Sequence, residues 1–114
     1  MALSNKIQDM AQHKLQAFCE QRIPLHVRDR VRLNCASRGS VVTLFEERIG
    51  FRDSSKWTQN PVAQFRHNPK TKEWTLYCAD RNGRWHLYAY SEATKNIDDL
   101  IKAVDEDQTG IFWG

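Results

Sequence analysis

The sequence lacks any apolar run long enough to cross a bilayer. Its uncharged apolar stretches span a few residues, against the roughly 20 a membrane helix needs, so no membrane partner is expected. The opening Met1-Ala2-Leu3-Ser4-Asn5-Lys6 becomes amphipathic rather than apolar, which predicts no signal peptide and a cytoplasmic chain. Cysteine is sparse. Cys19, Cys35 and Cys78 form no close pair in sequence and cannot all bridge within one chain, so small buried hydrophobes are expected rather than disulfides. Cys19, His26 and Cys35 are spaced too loosely for structural zinc. The stretch Asp105 to Gly110 imitates the opening of a calcium loop but lacks the carboxylate that closes one. No metal and no cofactor are expected. Zinc-finger spacings and the basic-Gly-aromatic signature of ribonucleoprotein sheets are missing too, and there is no βαβ spacing, which excludes a parallel sheet.

What the sequence does hold is aromatic. Trp, Tyr and Phe number 4, 3 and 5 among 114 residues, a rich supply for a core of one domain over 1–114. The charged fraction of 27% is ordinary for a globular chain. The net charge of +3 is spread unevenly. Residues 22–90 carry 13 Lys/Arg against 6 Asp/Glu, a net of +7, and residues 91–114 carry 2 against 6, a net of −4. Two explanations compete: an anionic partner for the basic middle, or an acidic tail that packs on it and neutralises it.

Periodicity orders the elements. Ile7, Met10, Ala11, Leu15 and Phe18 make a helical stripe over 4–22, with Ser4 as N-cap and Pro24 as stop. From Val27 the period becomes two, through Val27–Cys35, the turn at Ser37-Arg38-Gly39-Ser40, and Val41–Ile49. Residues 50–61 read as a loop pinned by Trp57. Val62–His67, Glu73–Asp80 and Arg84–Tyr90 follow, the last two joined by an Asn82-Gly83 hairpin. A final helix over 97–107 carries Ile97, Leu100, Ile101 and Val104 on one side and is capped by Asn96, with Gly110 as its stop. The apolar tail, 108–114, should dock on the core. The fold class is α+β, a five-stranded antiparallel meander over 27–90 between an N-terminal and a C-terminal helix. Three carboxylates, Asp105, Glu106 and Asp107, oppose the dipole of that last helix, each costing about 0.3–1 kcal/mol, and compensation by Arg from the sheet is expected.

The runs Val62-Ala63-Gln64-Phe65-Arg66, Trp74-Thr75-Leu76-Tyr77, Asp80-Arg81-Asn82 and Arg84-Trp85-His86-Leu87-Tyr88, with the ending Gly110-Ile111-Phe112-Trp113-Gly114, resemble a bacterial family, the domain-of-unknown-function family 3024. The resemblance covers roughly residues 27–114. It implies one small domain and supplies no activity.

A simple hairpin register would put Arg84, His86, Tyr88 and Tyr90 on one sheet face with Tyr77, and Arg66 or His67 beside them. Trp74, Leu76, Cys78, Trp85 and Leu87 would then face the helices. Arg66, Tyr77, Arg84, His86 and Tyr88 are therefore the candidate ligand residues, since Arg binds phosphate or carboxylate bidentately and Tyr stacks. The function expected is a non-enzymatic binding module for an anionic ligand or nucleic acid. The alternative is a sheet face or a Trp57 loop that forms a homodimer or takes a protein partner. An enzyme ranks third: Cys78 and His86 fall on opposite faces by this alternation, and nothing in the spacing of Tyr77, Asp80 and His86 singles out acid–base work.

Overall fold

The computed structural model describes residues 5–23, 26, 30–49 and 56–113. The expected cap Ser4, the stop Pro24, the first residues of the expected strand from Val27 and the head of the 50–61 loop lie outside the described residues. Two helices and five strands follow in the order α1 (Asn5–Arg22), β1 (Val31–Arg38), β2 (Val41–Ile49), β3 (Trp57–Asn68), β4 (Glu73–Ala79), β5 (Trp85–Leu87) and α2 (Ile97–Glu106). The strands form one antiparallel sheet in sequence order. The expected α+β meander framed by helices is the fold found.

Both helices pack on the same side of the sheet. On α1, Ala11, Leu15, Phe18 and Cys19 are buried, one continuous stripe at i, i+4, i+7 and i+8, while Met10 lies just off it and is exposed. On α2, Ile97, Leu100 and Val104 point inward. They meet Leu33 and Cys35 of β1, Val42 and Leu44 of β2, Ala63 and Phe65 of β3, and Trp74, Leu76 and Cys78 of β4 in a single core. Burying one such aliphatic side chain contributes about 1.5–3 kcal/mol. All three cysteines are free thiols inside this core. Ion pairs tie the helices together outside it, Lys14 to Asp98 at 2.7 Å and Arg22 to Asp105 at 2.8 Å.

The acidic end of α2 is compensated, though not by the sheet. Arg22 of α1 takes Asp105, and Lys102 reaches Glu106 at 3.7 Å one turn away. Asp107 is no liability at all. It takes the left-handed conformation that ends the helix (φ 46°), and its carboxylate accepts from the backbone N–H of Phe112 at 3.1 Å and of Trp113 at 2.9 Å. The expected stop at Gly110 thus comes three residues early. The Trp113 indole donates to the Val104 carbonyl at 2.8 Å and Phe112 is buried, whereas Ile111 before them stays exposed.

Two departures from simple register matter for the site. Trp57 to Asn60 are not loop: they extend β3 along β2, and a bulge at Val62 separates Ala63↔Leu44 from Pro61↔Phe45. Proline is tolerated at such a break because no ladder bond is asked of it. At the β4–β5 hairpin the ladder closes on Ala79↔Trp85, leaving residues 80–84 as the loop rather than Asn82-Gly83 alone. The Asp80 carboxylate organises this loop, accepting from the N–H of Asn82 at 2.8 Å and of Arg84 at 2.9 Å. Gly83 supplies the positive φ of 77°.

Candidate ligand-binding face

That five-residue loop slips the pairing by one relative to a two-residue hairpin, and a one-residue slip exchanges the faces of every side chain on the strand. Tyr77 is therefore opposite Leu87, and Cys78 opposite His86. The expectation for β5 is corrected: Trp85 and Leu87 lie on the face of Tyr77, while His86 and Tyr88 lie on the helix side.

The five candidate residues consequently part company. Tyr88 is 4% exposed and packs on Phe112, with ring centroids 4.9 Å apart. His86 bonds through Nε2 to the Asp80 carboxylate at 2.8 Å, at the exposed rim of the hairpin. Arg84 is exposed in the hairpin loop itself. Arg66 and Tyr77 remain together. The Arg66 guanidinium lies 3.8 Å from the centre of the Tyr77 ring, on the face that neither helix covers.

Here the side chains of alternate residues stand in cross-strand rows. One row runs Arg38, Val41, Arg66, Thr75, and the next runs Ala36, Thr43, Gln64, Tyr77, Leu87. Most of these residues are half-buried by their neighbours alone. Within the rows the Gln64 amide spans two strands: it donates to the Thr43 hydroxyl at 3.1 Å and accepts from Arg66 Nε at 2.7 Å. This relay sets the plane of the guanidinium over the ring. Among the described residues no carboxylate lies within ion-pair distance of Arg66, so its charge is oriented but not neutralised.

At the opposite end of the same face sits a second stack. Arg32 lies 3.9 Å from the centre of the Trp57 ring, and its Nε bonds to Glu47 at 3.1 Å. Gln59 donates to the other Glu47 oxygen at 3.0 Å. Glu47 is 5% exposed, and the Gln59 bond, aided by Arg32, holds its carboxyl below the ordinary value despite burial.

The chemistry available elsewhere is limited. Burial pushes the Cys78 thiol up, away from the thiolate a nucleophile needs, and its Sγ donates to the His86 carbonyl at 3.5 Å rather than to the imidazole. The His86 ring, followed by the Arg84 N–H, holds the Asp80 carboxyl down, as expected of a loop-organising aspartate. His67 faces the core edge-on to Trp74, 4.8 Å between ring centroids; burial lowers its pKa, and its Nδ1 has no hydrogen-bond partner. Among the described residues no three His, Cys, Asp or Glu side chains gather as metal ligands, and no helix is long and apolar enough to span a membrane.

Alternation of residue types places Arg66 and Tyr77 on one face, but it does not put Gln64, Arg38 and Trp85 beside them. Ser37-Arg38-Gly39-Ser40 reads as a turn in the sequence, and the placement of Trp85 depends on the hairpin slip.

Fold and face together define a small α+β domain in which both helices back one side of a five-stranded sheet. Its chain belongs to the family described as Domain of unknown function (DUF3024), whose model matches residues 3–114. The match takes in the first helix as well as the sheet and tail. No curated protein and no solved structure matches the chain.

Proposed function

We propose that the chain is a non-enzymatic binding module whose open sheet face takes an anionic ligand, with Arg66 as the anchor. One observation carries this: the Arg66 guanidinium is held flat on Tyr77 and aimed by a neutral amide, with no carboxylate among the described residues to cancel its charge. Orienting a cation in advance removes part of the entropic cost of binding, and a guanidinium fork matches phosphate or carboxylate. Stacking on the ring leaves its outer NH groups available.

The test is a salt titration of purified protein against labelled single- and double-stranded oligonucleotides and inorganic polyphosphate. Binding at low salt to at least one of these, weakened at least tenfold in Arg66→Gln and kept in Arg48→Gln, supports the reading. Arg48 is the control because it is paired with Glu46 at 2.6 Å. Absence of binding to all three at low salt removes it.

A second reading, an interface between two copies, draws on Leu87, 56% exposed on the short edge strand β5 and beside Trp85. Edge strands are natural sites of pairing. A strict monomer by light scattering at high micromolar concentration argues against this version.

A further inference from the structure

Resting on the anionic-ligand reading, the geometry points to single-stranded nucleic acid as the ligand of the open face, its phosphates along the basic end and its bases on the aromatic rows. The cations are spread along one end of the sheet rather than gathered around a point. Arg38 and Arg66 flank Val41 in one cross-strand row, so two strand spacings of ~4.8 Å put their backbones about 10 Å apart. Lys70 and Lys72 follow in the β3–β4 turn, both exposed. The β1–β2 and β3–β4 turns are brought to the same end of the sheet where the His67 N–H donates to the Ser40 carbonyl at 2.9 Å. Among the described residues none of these four cations is in an ion pair. A compact anion needs charges that converge; a spread of this kind complements a chain of phosphates.

The rings decide between polyanions. Tyr77 carries the Arg66 plane, and Trp85 stands diagonally across from it on the neighbouring strand, a separation of about 7–8 Å between backbones. Both are only half-buried, on a face with no helix over it. Phosphate alone has no use for a Trp ring, whereas unpaired bases stack on aromatic and guanidinium planes. Duplex bases hide those surfaces within their own stack, which selects the single strand.

The experiment measures anisotropy of a labelled oligothymidine strand, alone, annealed to its complement, and in competition with inorganic polyphosphate. The strand should bind at least tenfold more tightly than the duplex, and polyphosphate should compete at least tenfold less well than unlabelled strand. Trp85→Leu should weaken strand binding by about tenfold with the salt slope unchanged, as loss of one stacked base predicts. An Arg38→Gln/Arg66→Gln double variant should reduce the slope by roughly 1.4, as loss of two phosphate contacts on a single strand predicts. Should Trp85→Leu not fold, tryptophan quenching in the native protein replaces it: the strand should quench and polyphosphate should not. Equal binding of strand and duplex, or polyphosphate competing as well as the strand, overturns the nucleic-acid assignment while the anionic reading stands. Binding of none of the three sinks both.

Discussion

Arg32 and Arg66 stand on one face of one sheet, each with its guanidinium over an aromatic ring, at 3.9 Å from Trp57 and 3.8 Å from Tyr77. Their Nε atoms, however, are answered differently. Arg32 meets a carboxylate, Glu47, which also accepts from Gln59 and is all but buried. Arg66 meets an amide, Gln64, whose own NH₂ is spent on Thr43. The first arrangement closes its charge within the protein; the second leaves its charge without a carboxylate partner among the described residues. Stacking on a ring is therefore no mark of function on this face. What differs between the two arginines is the group at the other side of the guanidinium, a carboxylate for Arg32 and an amide for Arg66.

The largest difference between the two should appear in stability. Arg32→Ala leaves Glu47 with a buried carboxylate lacking its charged partner, which costs about 2 kcal/mol. Arg66→Ala removes a partly exposed stack and a bond to an amide, worth under about 1 kcal/mol. Urea unfolding of the two variants checks this; equal losses would mean that both stacks are structural. The ligand side should reverse the order, with Arg66→Gln reducing affinity at least tenfold.

The same comparison extends to pH. Glu47 has its folded-state pKa depressed, so its stabilisation is fully present above the unfolded value of about 4.3 and is lost as pH falls through the folded value. Glu47→Gln should abolish that part of the acid limb, whereas Arg66→Gln should leave it unchanged. His67 adds an independent limb. Its folded pKa lies below the ordinary 6.5, the unfolded chain binds the extra proton, and stability therefore declines as pH drops below that ordinary value. His67→Phe keeps an aromatic partner for Trp74 and should flatten the decline. Unfolding midpoints measured between neutral and acid pH distinguish the two limbs, and an unchanged profile in either variant removes that group from the account.

The contrast between the stacks also shows what was legible in the residues. The α+β meander, the stripe on α2, its Asn96 cap and the docking of Phe112 follow from periodicity and capping chemistry, because each depends on neighbours within a few positions. The face of β5 does not. It turns on whether the loop after β4 holds two residues or five, and the deciding interaction is a side chain, the Asp80 carboxylate gathering the N–H groups of Asn82 and Arg84. The preference of Asn-Gly for a tight hairpin was outweighed, and His86 and Tyr88 exchanged sides with Trp85 and Leu87. Trp57 reads as loop for a related reason: Pro61 looks like the end of a loop until a bulge lets β3 run through it. That Asp105 pairs with Arg22 rather than with a sheet arginine required knowing that both helices share one side. Long-range partners of this kind leave no local periodicity to read.

The finest discrimination comes from exchanging the acceptor rather than the arginine. Gln64→Glu keeps the shape and leaves an oxygen where Arg66 Nε already bonds at 2.7 Å, but it supplies the carboxylate that Glu47 gives Arg32. The Thr43 hydroxyl can donate to a carboxylate as readily as it accepts from an amide, so that end of the relay survives. Arg66 then becomes a closed pair. An ion pair on a half-exposed face is worth about 0.2–1 kcal/mol, so the variant should be slightly more stable than the parent while its affinity for a polyanion falls several-fold. The guanidinium itself is unchanged and still stacked, so weaker binding in this variant isolates the uncancelled charge as the source of affinity. Urea unfolding and anisotropy on the same preparation read both quantities. Full affinity in Gln64→Glu would place the ligand on Arg38 and the turn lysines instead, and reduce the Arg66–Tyr77 stack to the structural role Arg32 already plays.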